Sequence, residues 1–231
     1  MEQLVFDLAA PEPPTFDSYV VGRNAEVVRA LERAASGGLA ETGVVLWGPP
    51  GSGKSHLVAA TAAAARACGR QAMLCTAPAE WPSSAEAGEL IAIDDLGGAD
   101  ADAQSRLFSL YNALRERGGT LVAAAAGPPA QLAVRDDVRS RLAWGLAYEV
   151  LPLADADKPA ALAAWARARG FALDDEVIAY LLAHGRRDMG TLVATLRALD
   201  RRSLSLKRPL TVPMLREWMQ GTLSEGSPNP G

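Results

Sequence analysis

The stretch Val44-Val45-Leu46-Trp47-Gly48-Pro49-Pro50-Gly51-Ser52-Gly53-Lys54-Ser55 decides the fold. Its first four residues form an apolar run suited to a buried strand, and the next eight match G-x-x-x-x-G-K-[ST] in full, directly before a helix-forming segment. Glycines there let the main chain curl closely around an anion, so that successive N–H groups at the positive end of the next helix wrap a phosphate. Lys54 supplies a point charge for β- and γ-phosphates, and the Ser55 hydroxyl suits Mg²⁺. The expected ligand is a nucleoside di- or triphosphate with Mg²⁺.

Downstream, Leu90-Ile91-Ala92-Ile93-Asp94-Asp95 is a second apolar strand, ending in two carboxylates. A parallel α/β sheet presents its ligand site at the carboxyl ends of its strands, so these acids are expected to reach the same metal and phosphates. Asp94 would hold Mg²⁺ through water, and Asp95 would polarise an attacking water. Further apolar runs at Ala72–Cys75, Thr120–Ala125 and Ala147–Leu151 bring the strands to five. Helices are expected from near Gly53, over Asp102–Arg117, over Arg135–Leu142, and before the first strand over Asn24–Ala35 with Asn24 as its cap. That alternation predicts an α/β fold with a five-stranded parallel sheet.

After Pro152 strands disappear. Asp155–Arg169, Asp174–His184, Met189–Leu204 and Pro213–Met219 read as helices, punctuated by Gly170, Gly185 and Pro209, which predicts a small C-terminal helical domain. Residues 221–231 lack periodic apolar positions and are expected to be a disordered tail.

The 231 residues are 49% hydrophobic and 22% charged, an ordinary globular composition. The net charge of −4 argues against a chain-wide basic surface for DNA or anionic lipid. Charge is uneven, however: residues 1–154 carry 12 basic and 18 acidic side chains, whereas 186–216 carry eight basic and two acidic ones. Two cysteines, Cys68 and Cys75, and two histidines, His56 and His184, give no zinc or disulfide pattern. With no signal-like N-terminus and no run near the ~18 apolar residues of a membrane span, the expected location is the cytoplasm, away from membranes.

Several segments together resemble the AAA+ ATPases related to the bacterial replication initiator DnaA. Thr15-Phe16-Asp17-Ser18-Tyr19-Val20-Val21-Gly22-Arg23-Asn24 is similar to the initiator's segment before the phosphate loop, which lies along the adenine. The loop continues into Ser55-His56-Leu57 as in that family. Val134-Arg135-Asp136-Asp137-Val138-Arg139-Ser140-Arg141-Leu142 resembles the segment whose Ser-Arg-Leu arginine is the finger offered to a neighbouring subunit, here Arg141. Arg186-Arg187-Asp188-Met189-Gly190 resembles the sensor II motif, with its arginine at Arg187. The resemblance thus implies ADP or ATP held by Tyr19, Val20, Val21, Asn24, Pro50, Gly51, Ser52, Gly53, Lys54, Ser55, His56 and Arg187, with Ser55 and Asp94 on Mg²⁺. Asp95 and Arg141 are the implied catalytic groups.

The first residues, Gln3-Leu4-Val5-Phe6-Asp7-Leu8, look like the peptide by which bacterial proteins dock on the β sliding clamp, with Gln3, Leu4, Phe6 and Leu8 as the contacts. An extended peptide of this kind seats apolar side chains in a pocket while the glutamine amide bonds at its rim. The expected organisation is a clamp-binding segment over 1–14, an AAA+ domain over 15–152, a helical lid over 153–220 and a tail over 221–231. No room is expected for the initiator's own N-terminal and DNA-binding domains. This layout resembles the Hda family of regulatory inactivators of DnaA, whose members, tethered to the clamp and usually holding ADP, promote hydrolysis of DnaA-bound ATP.

The resemblance therefore implies DnaA and the clamp as partners, DNA reached only through the loaded clamp, and room for a homodimer that hides the finger. One departure concerns Ala124-Ala125-Ala126-Gly127-Pro128-Pro129, which lacks the polar sensor I group and predicts weak hydrolysis in cis. Two other readings stay open: a helicase-loading adaptor of the DnaC kind, which shares these motifs, and a stand-alone ATPase.

Overall fold

A computed structural model describes residues 14–170, 173–185, 188–206 and 208–225. The chain divides into two compact units. The first takes in the described residues up to Tyr19, then Glu26–Trp47 and Lys54–Glu149; the second takes in Val20–Ala25, Gly48–Gly53 and the described residues from Val150 onward.

In the first unit, strands β1 (Gly43–Trp47), β2 (Ala72–Cys75), β3 (Leu90–Ile93), β4 (Thr120–Ala125) and β5 (Leu146–Glu149) form one sheet in the order β2-β3-β4-β1-β5. All four pairings are parallel. Parallel neighbours need crossovers, and helices α1 (Ala25–Ser36), α2 (Lys54–Ala67), α3 (Ala101–Glu116) and α4 (Asp136–Ala143) supply them or flank them. The inner strands are buried on both faces, which is why they read as unbroken apolar runs. On one face Val45, Ile91, Ile93, Leu121 and Ala123 pack with Leu107, Leu110 and Leu114 of α3 and with Val138 and Leu142 of α4.

The strand register positions the chemistry. Ile93 pairs with Ala123, and Ala123 with Val45, so Asp94 and Asp95 leave β3 at the level of the last residues of β4 and β1. The strand after α4 is shorter than its apolar run, which continues to Leu151. Its ladder ends where Trp47 pairs with Glu149, because β1 ends there.

The second unit holds α5 (Lys158–Ala168), entered through a 3-10 turn at Asp155–Asp157, then α6 (Asp175–His184), α7 (Met189–Leu206) and α8 (Val212–Glu225). Leu162, Trp165, Val177, Ile178, Leu181, Leu192, Leu196, Leu199, Met214 and Leu215 make its core. Leu192, Leu196 and Leu199 recur on one stripe of α7, the spacing that buries one face of a helix. Asp188 starts α7, its Oδ1 accepting from the Thr191 N–H at 2.8 Å. The last helix runs to Glu225 rather than stopping near Met219. Gly221 costs about 1 kcal/mol of helix propensity, which slows a helix without breaking it.

Leu151 bonds elsewhere. The Asn24 side chain, 4% exposed, donates to its carbonyl at 2.8 Å and accepts from its N–H at 2.9 Å, both within the second unit.

Candidate nucleotide site and arginine cluster

The loop after β1 has three glycines in left-handed conformations: Gly48 (φ 146°), Gly51 (φ 76°) and Gly53 (φ 101°). At Gly48 a Cβ would lie 2.6 Å from the Val150 carbonyl oxygen, and at Gly51 2.7 Å from the Asp188 Cβ, so a side chain is excluded at both. Pro50 and Gly51 line a cleft of about 180 Å³ with Pro152, Leu153, Lys158, Asp188 and Met189. Lys158 is held there by Asp155, Nζ to Oδ1 2.5 Å. Ser52 is 5% exposed, and its Oγ has no hydrogen-bond partner among the described residues. A buried orphan hydroxyl costs about 1–3 kcal/mol, and an oxygen-rich anion in the loop would relieve it.

Lys54, Ser55 and His56 open α2, directly after the loop. Burial pushes the Lys54 ammonium below its usual pKa, while Asp95 and then Asp94 pull it back up. A partly dehydrated ammonium at a helix N-terminus is a poor arrangement by itself and a good one beside phosphate. Ser55 is exposed and Asp94 half-buried. Two protein oxygens are a normal share for Mg²⁺, which keeps phosphate and water as its other ligands. Among the described residues no group of three or more His, Cys, Asp or Glu could hold a metal by itself. Taken each by itself, the loop in the second unit fits an anion such as phosphate, and Lys54, Ser55 and Asp94 in the first are the cation and donor types that a nucleoside polyphosphate with Mg²⁺ requires.

Asp95 is the one non-glycine among the described residues with a left-handed φ, 84°. Its Oδ1 accepts from the Gly97 N–H at 2.8 Å, a local turn that stabilises the unusual backbone. The carboxylate expected to polarise water is thus engaged in its own turn. At the end of β4 the Ala124 carbonyl accepts from the Leu96 N–H, and the alanines there offer no polar side chain.

Upstream, His56 Nε2 lies 2.9 Å from the Thr15 carbonyl oxygen and 3.2 Å from Ser18 Oγ. A carbonyl only accepts, so Nε2 carries the proton. The Tyr19 ring sits 5.6 Å from the His56 ring, tilted by 42°. Tyr19 and His56 therefore come together in the first unit, while Val20, Val21 and the buried Asn24 fall in the second, where Asn24 grips Leu151. Arg187, and Gln3, Leu4, Phe6 and Leu8, lie outside the described residues.

Arg141 sits in the first unit, on α4. Its stretch holds three arginines, and two are occupied by carboxylates: Arg135 Nη2 meets Asp137 Oδ2 at 2.6 Å and Arg139 Nη2 meets Asp136 Oδ1 at 3.1 Å. Arg141 meets none among the described residues. Its Nε donates to Asn112 Oδ1 at 3.0 Å, and its guanidinium carbon lies 4.1 Å from the Trp144 ring centroid and 5.2 Å from that of Phe108. Trp144 is 52% exposed, and Arg115 lies over its ring at 5.2 Å. Asn112, Phe108 and Arg115 escape sequence reading as site residues. Their spacing on α3 shows a shared helix face, but nothing in it points to Arg141.

Residues 155–219 match the family model described as the Hda lid domain. Among solved structures, the chain is similar to domain III of the Thermotoga maritima replication initiation protein DnaA, at 19% identity and a TM-score of 0.73, over 89% of this chain and 95% of that one. AMPPCP-bound DnaA from Aquifex aeolicus gives 22% identity and a TM-score of 0.66, over 84% of this chain and 66% of that chain. The Thermotoga maritima RuvB Holliday junction branch migration motor gives 18% and 0.68, over 90% and 72%. At these identities the likenesses establish the AAA+ fold, and the lid match narrows it. The segment 155–219 is thus similar to the Hda lid domain, and the chain as a whole has the AAA+ fold of the DnaA and RuvB structures.

Proposed function

We propose that the chain is a nucleotide-bound regulator of replication initiation that acts in trans on ATP-bound DnaA. The observation that carries this reading is the Hda-type lid over residues 155–219 behind a DnaA-like core. The resting ligand is an adenine nucleotide, ADP in the simplest case. The AMPPCP carried by DnaA structures of the same fold supports this, as do the orphan Ser52 hydroxyl and the partly dehydrated Lys54. Pro50, Gly51, Ser52, Gly53, Lys54, Ser55 and His56 hold its phosphates, Tyr19, Val20, Val21 and Asn24 lie towards its base, and Arg187 contacts it from the lid. Ser55 and Asp94 hold the Mg²⁺. When bound, the nucleotide supplies the negative charge that the loop and Lys54 are built to accept.

Turnover in this site is slow, because the end of β4 lacks a polar side chain and Asp95 is tied to Gly97. The productive chemistry takes place on the partner. Water attacks the γ-phosphorus of ATP held by DnaA, the bond to ADP breaks, and Arg141 stabilises the charge growing on the transferred phosphoryl oxygens. Such fingers contribute about 10³- to 10⁵-fold in rate. Arg141 suits the role because it alone of the three arginines in its stretch is not neutralised by a carboxylate among the described residues.

Gln3, Leu4, Phe6 and Leu8 dock on the β sliding clamp, so that DNA is reached only through the loaded clamp, in the cytoplasm. A homodimer through the face bearing Arg141 would store the finger. The tether is tested by clamp pull-down and by hydrolysis of DnaA-bound ATP on clamp-loaded DNA, using Gln3→Ala with Leu4→Ala. The double variant should lose clamp binding, and stimulation should fall on the order of 10²-fold as the effective concentration is lost. Equal pull-down of both proteins would contradict the tether and favour a helicase-loading adaptor.

A further inference from the structure

Positive charge is concentrated on the lid helix α7 and the turn that follows it. The segment 186–216 carries eight basic side chains against two acidic ones, in a chain whose net charge is −4. One of those acids, Asp188, is engaged at the start of α7, its Oδ1 accepting from the Thr191 N–H at 2.8 Å. Arg201, Arg202 and Arg208 are exposed, and none of them pairs with a carboxylate among the described residues.

The helix separates its leucines from its arginines. Leu192, Leu196 and Leu199 are buried in the lid core. Arg201, two residues past Leu199, stands on the opposite side of the helix, and Arg197 stands one turn before it, its guanidinium carbon 5.8 Å from the Trp165 ring centroid. Ala194 and Ala198 keep that side low, so a flat partner can come close. At the end of α7 the Arg208 N–H donates to the Ser203 carbonyl at 3.1 Å, which folds the chain back and keeps Arg208 there. Like charges one turn apart weaken an isolated helix. The arrangement is unfavourable alone and favourable against a regular array of negative charge.

We propose that this side of α7 and its C-terminal end bind the phosphate backbone of duplex DNA, with Arg201, Arg202 and Arg208 as contacts. The choice of duplex rests on the reading that the chain works on a clamp loaded on DNA; the charge pattern itself does not depend on that reading. Duplex DNA presents one negative charge per about 1.7 Å of axis, whereas an extended acidic peptide spaces its residues at about 3.3 Å. Guanidinium forks suit phosphate oxygens. Backbone contacts of this number are non-specific and weak, so they act once the clamp has brought the chain to DNA, where effective concentration adds them to the tether.

The test titrates the full chain, without the clamp, against a short fluorescent duplex of arbitrary sequence at several salt concentrations. The wild type should bind with a Kd of about 10⁻⁴ to 10⁻⁶ M at physiological salt. The triple variant Arg201→Gln, Arg202→Gln, Arg208→Gln should bind on the order of tenfold more weakly, and the slope of log affinity against log salt should fall by about 2–3, about 0.9 per phosphate contact. The three side chains are exposed, so the triple variant should keep the wild-type melting temperature, response to ADP and clamp pull-down. Arg29→Gln, which removes an exposed arginine from α1, should leave affinity within about twofold, because a distant charge is screened.

Equal affinity and slope in the wild type and the triple variant would overturn the proposal. So would a wild type that binds no duplex, or one that binds a single strand or polyglutamate more tightly than duplex. If duplex binding depends on the three arginines while Gln3→Ala with Leu4→Ala leaves clamp pull-down intact, the tether falls and the lid contact stands. If pull-down is lost in that double variant while duplex binding ignores the arginines, the lid contact alone falls.

Discussion

Lys54 shows how one residue can be poorly placed for stability and well placed for function. Burial lowers its pKa from the ordinary 10.5, with Asp95 and Asp94 only partly compensating. The folded chain thus holds this proton less tightly than the unfolded chain does. Its contribution is unfavourable below the lowered pKa and is relieved as pH rises from there towards 10.5. Phosphate beside the ammonium reverses the balance by favouring the charged form. Lys54→Met should therefore leave the melting temperature of the protein without added nucleotide unchanged or slightly higher. It should also abolish the stabilisation by ADP, which for the wild type amounts to about 2.7 kcal/mol at a hundredfold excess over Kd. Thermal melts with and without ADP read both effects. A variant that melts lower yet still responds to ADP would show that Lys54 serves the fold.

At the scale of elements, Asn24 shows how one side chain can take over where a strand stops. β1 and β5 part company after Trp47 and Glu149, and the backbone of Leu151 finds its partners in the Asn24 amide. Asn24→Ala strips both bonds from a buried site and should cost about 2–4 kcal/mol, with each orphaned group contributing about 1–3. A shift in the urea midpoint at constant slope measures it. Asn24 before a helix reads in sequence only as a cap, since a contact 127 residues away leaves no local trace. The same limit governs Arg141. The motif marks the residue, but Asn112 and Trp144 reach it through the packing of α3 against α4, which a pattern does not encode. What was legible was what depends on local chemistry: strands as continuous apolar runs, and a helical unit from the glycines and proline that punctuate it. The continuation of α8 to Glu225 was not, because a single glycine is a weak stop.

For the whole molecule, an acidic stretch over residues 1–154 precedes a lid whose segment 186–216 is strongly basic, in a chain with net charge −4. The lid has its own apolar core and its own family match, while the sheet unit supplies Lys54, Asp94 and Arg141. No described helix is long and apolar enough to cross a membrane. In this account one nucleotide is held by the chain and a second, on a partner, is the one consumed. The separation is tested by loading DnaA with labelled ATP, adding this protein carrying unlabelled ADP together with clamp-loaded DNA, and following labelled ADP in a single turnover. The wild type should accelerate release of labelled ADP, and Arg141→Ala, still clamp-bound and still holding its own nucleotide, should lose about 10³-fold or more of that acceleration. Undiminished acceleration by Arg141→Ala would contradict the account.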